Sequence, residues 1–128
     1  MHKGVLVGRT ILIVEEQPLI ALDVRMALKG EGAQAVCATV HDAPAAIEDR
    51  TFAAAVLDLR PGCSDHRPIA RKLRKRGVPF LFYSTHEPEA VTTVRGAPVI
   101  LKPATSDDVV KAIALLLRGG TMARPKTE

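Results

Sequence analysis

Three acids, one hydroxyl and one lysine stand at the ends of apolar runs in this chain. Glu15 and Glu16 follow "TILIV", Asp58 closes "AAAVLD", Ser84 closes "VPFLFYS" and Lys102 closes "APVILK". A charge buried among apolar neighbours without partners is costly. Each group is therefore either solvated at a strand end or held there for chemistry. The chemistry these types suit is phosphoryl transfer. A carboxylate is a workable nucleophile toward an activated phosphoryl donor and yields an aspartyl-phosphate. The transferred group carries charge on its equatorial oxygens, so positioning and charge neutralisation do most of the catalysis. Lys102 offers a positive charge to one such oxygen and Ser84 a hydroxyl donor to another. An all-oxygen acid cluster suits Mg²⁺, which takes one or two carboxylates and completes its octahedron with water and phosphate oxygens. Three clustered acids repel, and the cation with Lys102 would keep them ionised.

Singly, each residue has a plainer reading. Glu15-Glu16 suits a solvated strand end, Lys102 a surface ion pair, Ser84 a turn, and Lys102-Pro103 a strand terminator. What outweighs these readings is the elements that position the five residues. Apolar runs at 10–14, 34–39, 53–58, 78–84 and 97–102 read as buried strands. Helical stretches alternate with them. Residues 18–30 begin with Pro18, end at Gly30 and Gly32, and set Leu19, Leu22, Val24, Met26 and Leu28 on or near one stripe. Residues 43–50 suit a short helix capped by Asp42, and 66–76 a third, ended by Gly77. The last helix is capped by Thr105 or Ser106, with Asp107 and Asp108 at its positive end. Its apolar face is Val109, Val110, Ile113, Leu116 and Leu117, and Gly119-Gly120 stops it. Residues 86–96 hold at most one short helix and are expected to be the most mobile stretch. Fivefold β-α alternation predicts an α/β fold with a parallel sheet covered on both faces. In such sheets the reactive site lies at the carboxyl ends of the strands. All five polar groups then emerge on one edge.

The composition narrows the rest. A chain of 128 residues is expected to be one domain with its own core. The hydrophobic content of 47% excludes a disordered chain. No apolar run approaches the ~18–20 residues of a membrane span, and "GVLVG" is too short for a signal-peptide core. The expected location is the cytoplasm. Cys37 and Cys63 fit neither a zinc spacing nor a disulfide framework and read as buried or half-buried thiols. Cys63 stands in the loop after Asp58, where a thiol could otherwise serve a redox role. His2, His41 and His66 show no ligand spacing. Net charge is +4, and "RPIARKLRKR" (67–76) carries six basic residues in ten. That run suits a solvated helix face first, and otherwise a footprint for nucleic acid or an acidic partner. With no Trp, one Tyr and three Phe, a base-stacking platform is not expected.

In four places the chain resembles the receiver domain of bacterial response regulators. These are "ILIVEEQPLIALD", "AAAVLDLRPG", "VPFLFYST" and "VILKPAT". The resemblance spans about residues 10–118, with 1–9 as an N-terminal tail and 119–128 as a flexible C-terminal tail. It implies a flavodoxin-like (βα)5 domain with strand order 2-1-3-4-5. It implies Asp58 as phosphoacceptor, with Lys102 and Ser84 assisting. Mg²⁺ would be held by Glu15, Glu16, Asp58 and the backbone carbonyl of Arg60. Arg60, Thr85 and His86 would tune the lifetime of the aspartyl-phosphate. The expected donors are a sensor histidine kinase or a histidine phosphotransfer protein, and the output is an unidentified protein target, with neither membrane nor nucleic acid as partner. No catalysis is expected beyond the chain's own phosphorylation and dephosphorylation. Glu16 stands where the family usually has Asp, which predicts weaker Mg²⁺ binding. Val99 stands where it usually has Tyr or Phe, so the usual hydroxyl–aromatic relay cannot operate. Such departures are similar to those of variant, often single-domain, receivers of alphaproteobacteria. They keep open a second reading, a pseudo-receiver that binds a partner without phosphorylation.

Overall fold

The central strand of the sheet sorts its side chains by parity, and that sorting builds the molecule. In β1 (Thr10–Val14), Ile11 and Ile13 point to one face while Leu12 and Val14 point to the other. Each face then needs its own cover. The computed structural model describes residues 4–59, 67–84, 99–101 and 105–119, with 59, 84 and 99–101 described by backbone alone. Around β1 lie β2 (Gln34–Ala38), β3 (Ala54–Leu59), β4 (Phe80–Ser84) and β5 (Val99–Leu101). All pairings are parallel, as the β-α alternation predicts, and the order is β2-β1-β3-β4-β5, as the resemblance implies. Four helices are described: α1 (Pro18–Gly30), α2 (Ala43–Asp49), α3 (Arg67–Lys75) and α4 (Ser106–Leu117).

Two cores result. On one face Ile11, Ile13, Val56, Leu81 and Tyr83 pack against Ala21, Val24 and Leu28 of α1 and Val109, Val110 and Ile113 of α4. On the other, Leu12, Val14, Leu57, Phe80 and Phe82 pack against Ile47 of α2 and Ile69 and Leu73 of α3. Strand and helix bounds fall within one or two residues of expectation, apart from β5, whose neighbours 97–98 and 102 lie outside the described residues.

Four expectations change. First, α1 does not carry a single apolar stripe. Ala21, Val24 and Leu28 are buried, while Leu19, Leu22 and Met26 are 80%, 47% and 62% exposed. The spacings 21/24/28 and 19/22/26 define two different faces of one helix, and only the first meets the sheet. Second, residues 4–9 are not a loose tail. Leu6 is fully buried in the α1/α4 core, and the Gly8 N–H donates to the Gly32 carbonyl at 2.9 Å. Gly32 has φ +88°, and a Cβ there would meet Val7 Cγ2 at 2.9 Å, so both backbone and space require glycine. Third, Asp42 occupies the N-cap position of α2 without a side-chain cap bond. Its N–H donates instead to the Thr39 hydroxyl at 3.2 Å. Fourth, β2 is an edge strand, so Cys37 is exposed rather than buried. Its Sγ still lies 4.0 Å from the Ala21 carbonyl oxygen, and partial desolvation holds the thiol above its ordinary 9.0, against the opposing charge of Arg25.

α4 bears out its predicted start. Thr105 Oγ1 accepts from the Asp108 N–H, and the Asp108 carboxylate accepts from the Thr105 N–H, both at 3.1 Å. Residues 86–96, read as a mobile stretch, and 120–128 of the C-terminal tail lie outside the described residues.

Candidate functional site

Register brings the acids together. Val14 of β1 pairs with Leu57 of β3, so the next residues along the two parallel strands are Glu15 and Asp58. Adjacent strands lie about 4.8 Å apart. Both carboxylates are taken out of solvent: Asp58 is 2% exposed and Glu15 7%. They are the buried charged residues among those described. Glu15 is fixed by its own backbone, its N–H donating to the Ala38 carbonyl at 3.2 Å, and its Oε2 accepts from the Gln17 N–H at 3.3 Å. Asp58 pairs with Tyr83 on its other side, and Leu59 pairs with Ser84, which in turn pairs with Leu101. The carboxyl ends of β1, β3, β4 and β5 thus bring Glu15, Asp58 and the backbone of Ser84 to one edge.

Glu16 departs from the arrangement expected of it. It is exposed, and its Oε2 accepts from the Val40 N–H at 2.8 Å. Val40 follows β2, and β2 and β3 lie on opposite sides of β1. Their backbones are about 10 Å apart at the usual strand spacing. Glu16 therefore reaches away from Asp58 toward the β2–α2 connection. Among the described residues no three acids, histidines or cysteines converge as a ready-made metal cage. The donors that do adjoin, Glu15 and Asp58, are hard oxygens in the number by which Mg²⁺ is commonly held. In donor chemistry they fit that ion. The bond from Val40 to Glu16 has no sequence signature, because any residue but proline could supply that N–H. Lys102, Arg60, Thr85 and His86 lie outside the described residues.

An open groove of about 410 Å³ borders Glu15 and Glu16 on the α1 and β2 side, lined also by Leu22, Arg25, Thr39 and Asp42 among others. The exposed stripe of α1, Leu19, Leu22 and Met26, continues from it. The sequence reading missed this surface by setting Leu19, Leu22 and Met26 on the same stripe as Val24 and Leu28.

No protein-family model and no curated protein matches the chain. Solved structures do. The solution structure of SdrG from Sphingomonas melonis Fr1 is 37% identical, with 88% of this chain aligned to 98% of that one and a TM-score of 0.71. The BeF3-activated conformation of SdrG, from Pseudomonas melonis Fr1, is 38% identical over 84% of this chain and 95% of that one, at a TM-score of 0.68. The receiver (REC) domain of the PhyR response regulator from Erythrobacter litoralis is 21% identical over 93% and 97% of the two chains, at a TM-score of 0.74. With the strand order, the paired acids and this likeness in hand, the chain belongs to the response regulator receiver domains.

Proposed function

We propose that the chain is a phosphorylatable receiver. Asp58 accepts a phosphoryl group from a phosphohistidine on a sensor histidine kinase or histidine phosphotransfer protein. The modified domain then binds a downstream protein or passes the group on. The observation that carries this reading is the Asp58 carboxylate: 2% exposed, at the carboxyl end of β3, in register beside Glu15. In the transfer a carboxylate oxygen of Asp58 attacks phosphorus. The P–N bond breaks as the P–O bond forms, and the imidazole leaves as a neutral ring, keeping the proton on its other nitrogen. Mg²⁺, where bound, would neutralise charge on the phosphoryl oxygens, held by Asp58 and Glu15, with Glu16 joining once it releases Val40. Lys102, Ser84 and the Arg60 carbonyl keep the roles that resemblance gives them, and Arg60, Thr85 and His86 would set the lifetime of the phosphoryl group. Receiver domains are signalling modules rather than enzymes acting on a separate substrate. No described helix is long and apolar enough to cross a membrane.

The donor must approach the carboxyl edge of the sheet. The exposed Leu19, Leu22 and Met26 stripe runs along the helix that starts just after Glu15-Glu16, and it supplies an apolar face for a helix of that donor. The second reading, a pseudo-receiver acting without phosphorylation, draws on Glu16, whose carboxylate is engaged by Val40. Beryllofluoride with Mg²⁺ separates the two. The phosphorylatable reading expects amide shifts at Glu15, Glu16, Asp58, Tyr83 and Ser84. Unchanged spectra at saturating beryllofluoride would favour the pseudo-receiver.

A further inference from the structure

The amino edge of the sheet, opposite Asp58, carries a cavity that phosphoryl chemistry does not use. It measures about 200 Å³ and is lined by Ile47, Arg50, Thr51, Phe52, Arg76 and Val78. Ile47, Phe52 and Val78 are buried and form an apolar floor where α2 ends and where β3 and β4 begin. Arg50, Thr51 and Arg76 are exposed at the rim. The Arg50 guanidinium lies 6.0 Å from the centre of the Phe52 ring, so the floor itself positions it. Beside it, Arg74 lies 5.7 Å from the centre of the Phe80 ring. Among the described residues neither Arg50 nor Arg76 is in an ion pair; Glu48 bonds Lys72 and feels the Arg76 charge only at longer range.

Size and charge together decide what fits. Small-molecule sites occupy roughly 300–1,000 Å³, and this cavity is smaller, with room for one large side chain. Its apolar floor needs an apolar occupant. Its rim needs negative charge, and the outward face of α3 extends that demand through Arg71, Arg74 and Lys75, since Ile69, Ala70 and Leu73 take the inward face. A nucleic acid would satisfy the charge but not the hole, and the edge's aromatics, Phe52 and Phe80, are buried and offer no face for stacking. We propose that this cavity docks an acidic segment of a partner protein, with one apolar side chain in the hole and flanking carboxylates on the forks of Arg50 and Arg76. Phe52 and Asp58 are six residues apart, with Ala54 to Asp58 extended in β3, so they stand up to about 20 Å apart. The two edges can therefore be occupied together, and the tether at the amino edge does not depend on phosphorylation.

The test uses the full chain and a fluorescein-labelled heptapeptide of six glutamates around a central phenylalanine. Saturable anisotropy is expected with wild type and with Asp58→Asn alike. Binding should weaken about tenfold when the central residue is alanine, and by a similar factor in Arg50→Gln/Arg76→Gln. Both arginines are exposed, so the double variant should keep its fold. Arg50→Lys/Arg76→Lys, which keeps the charge and loses the fork, should fall between. On wild type the amide shifts should centre on Ile47, Phe52 and Val78. Four results would overturn the proposal: no saturable binding, equal affinity for the alanine peptide, shifts confined to α1, or tighter binding of a single-stranded DNA of the same charge.

Discussion

The two edges of one sheet have opposite characters. At the carboxyl edge Glu15 and Asp58 are buried in register with each other, while Glu16 is exposed and turns away to Val40. At the amino edge Arg50 and Arg76 stand exposed over an apolar hole. The same strands serve both. Leu57 and Phe82 lie in the core beneath α2 and α3, between Asp58 at one end and Phe52 and Val78 at the other. The difference teaches where buried charge is tolerated. Burying a carboxylate costs energy that the fold recovers only through partners or function, whereas an arginine can lay its stem on apolar surface and keep its head in water. The acidic edge is therefore the expensive one, and the one expected to do chemistry.

The largest effect should come from what the edges share. Phe82→Ala removes a fully buried ring and is expected to cost about 3–5 kcal/mol, impairing both sites at once. Urea unfolding measures it. A cost below about 1 kcal/mol would mean the strands are not the common support.

Glu16 sharpens the acidic side of the comparison. Its hydrogen bond from Val40 must break before it can turn toward Asp58. A net hydrogen bond is worth about 1 kcal/mol. Glu16→Asp, too short to keep that bond, should thus bind Mg²⁺ about fivefold more tightly. Tyr83 is the one tyrosine in the chain and pairs with Asp58, so its fluorescence can report the titration. Equal or weaker Mg²⁺ binding by the variant would remove Val40 from the account.

The smallest effect lies on the basic side. Lys72 holds the Glu48 carboxyl below its ordinary 4.5, first through their hydrogen bond and then through charge. A lowered folded value means that the pair stabilises the protein above pH 4.5, and that this gain is lost as pH falls through the folded value. Glu48 is exposed and Lys72 only half-buried, so the gain is slight. Glu48→Gln should melt marginally below wild type at pH 7, and the difference should shrink as the pH falls below 4.5. A difference that stays constant as the pH falls would contradict the pairing.

Much of this was legible in the sequence, for a physical reason. Strands buried on both faces read as unbroken apolar runs, so their ends, and the acids standing there, are visible. The start of α4 was legible through Thr105 or Ser106 as its cap and the acids after it, though not the reciprocal bonds of Thr105 and Asp108. Other features depend on three-dimensional neighbours. Leu19, Leu22 and Met26 are as apolar as Val24 and Leu28, and only the packing of α1 separates the two faces. Leu6 sits in a glycine-flanked segment without periodicity, yet it is fully buried. The direction of Glu16 depends on a backbone N–H of Val40, and the amino-edge cavity assembles residues from the ends of α2 and α3 and the starts of β3 and β4.

The central claim is that Asp58 is a phosphoacceptor. Its most direct test is intact-protein mass after incubation with Mg²⁺ and acetyl phosphate. Wild type should gain the mass of one phosphoryl group, stable in acid and lost in base, and Asp58→Asn should gain none. An equal gain in Asp58→Asn, or no gain in wild type, would contradict the account.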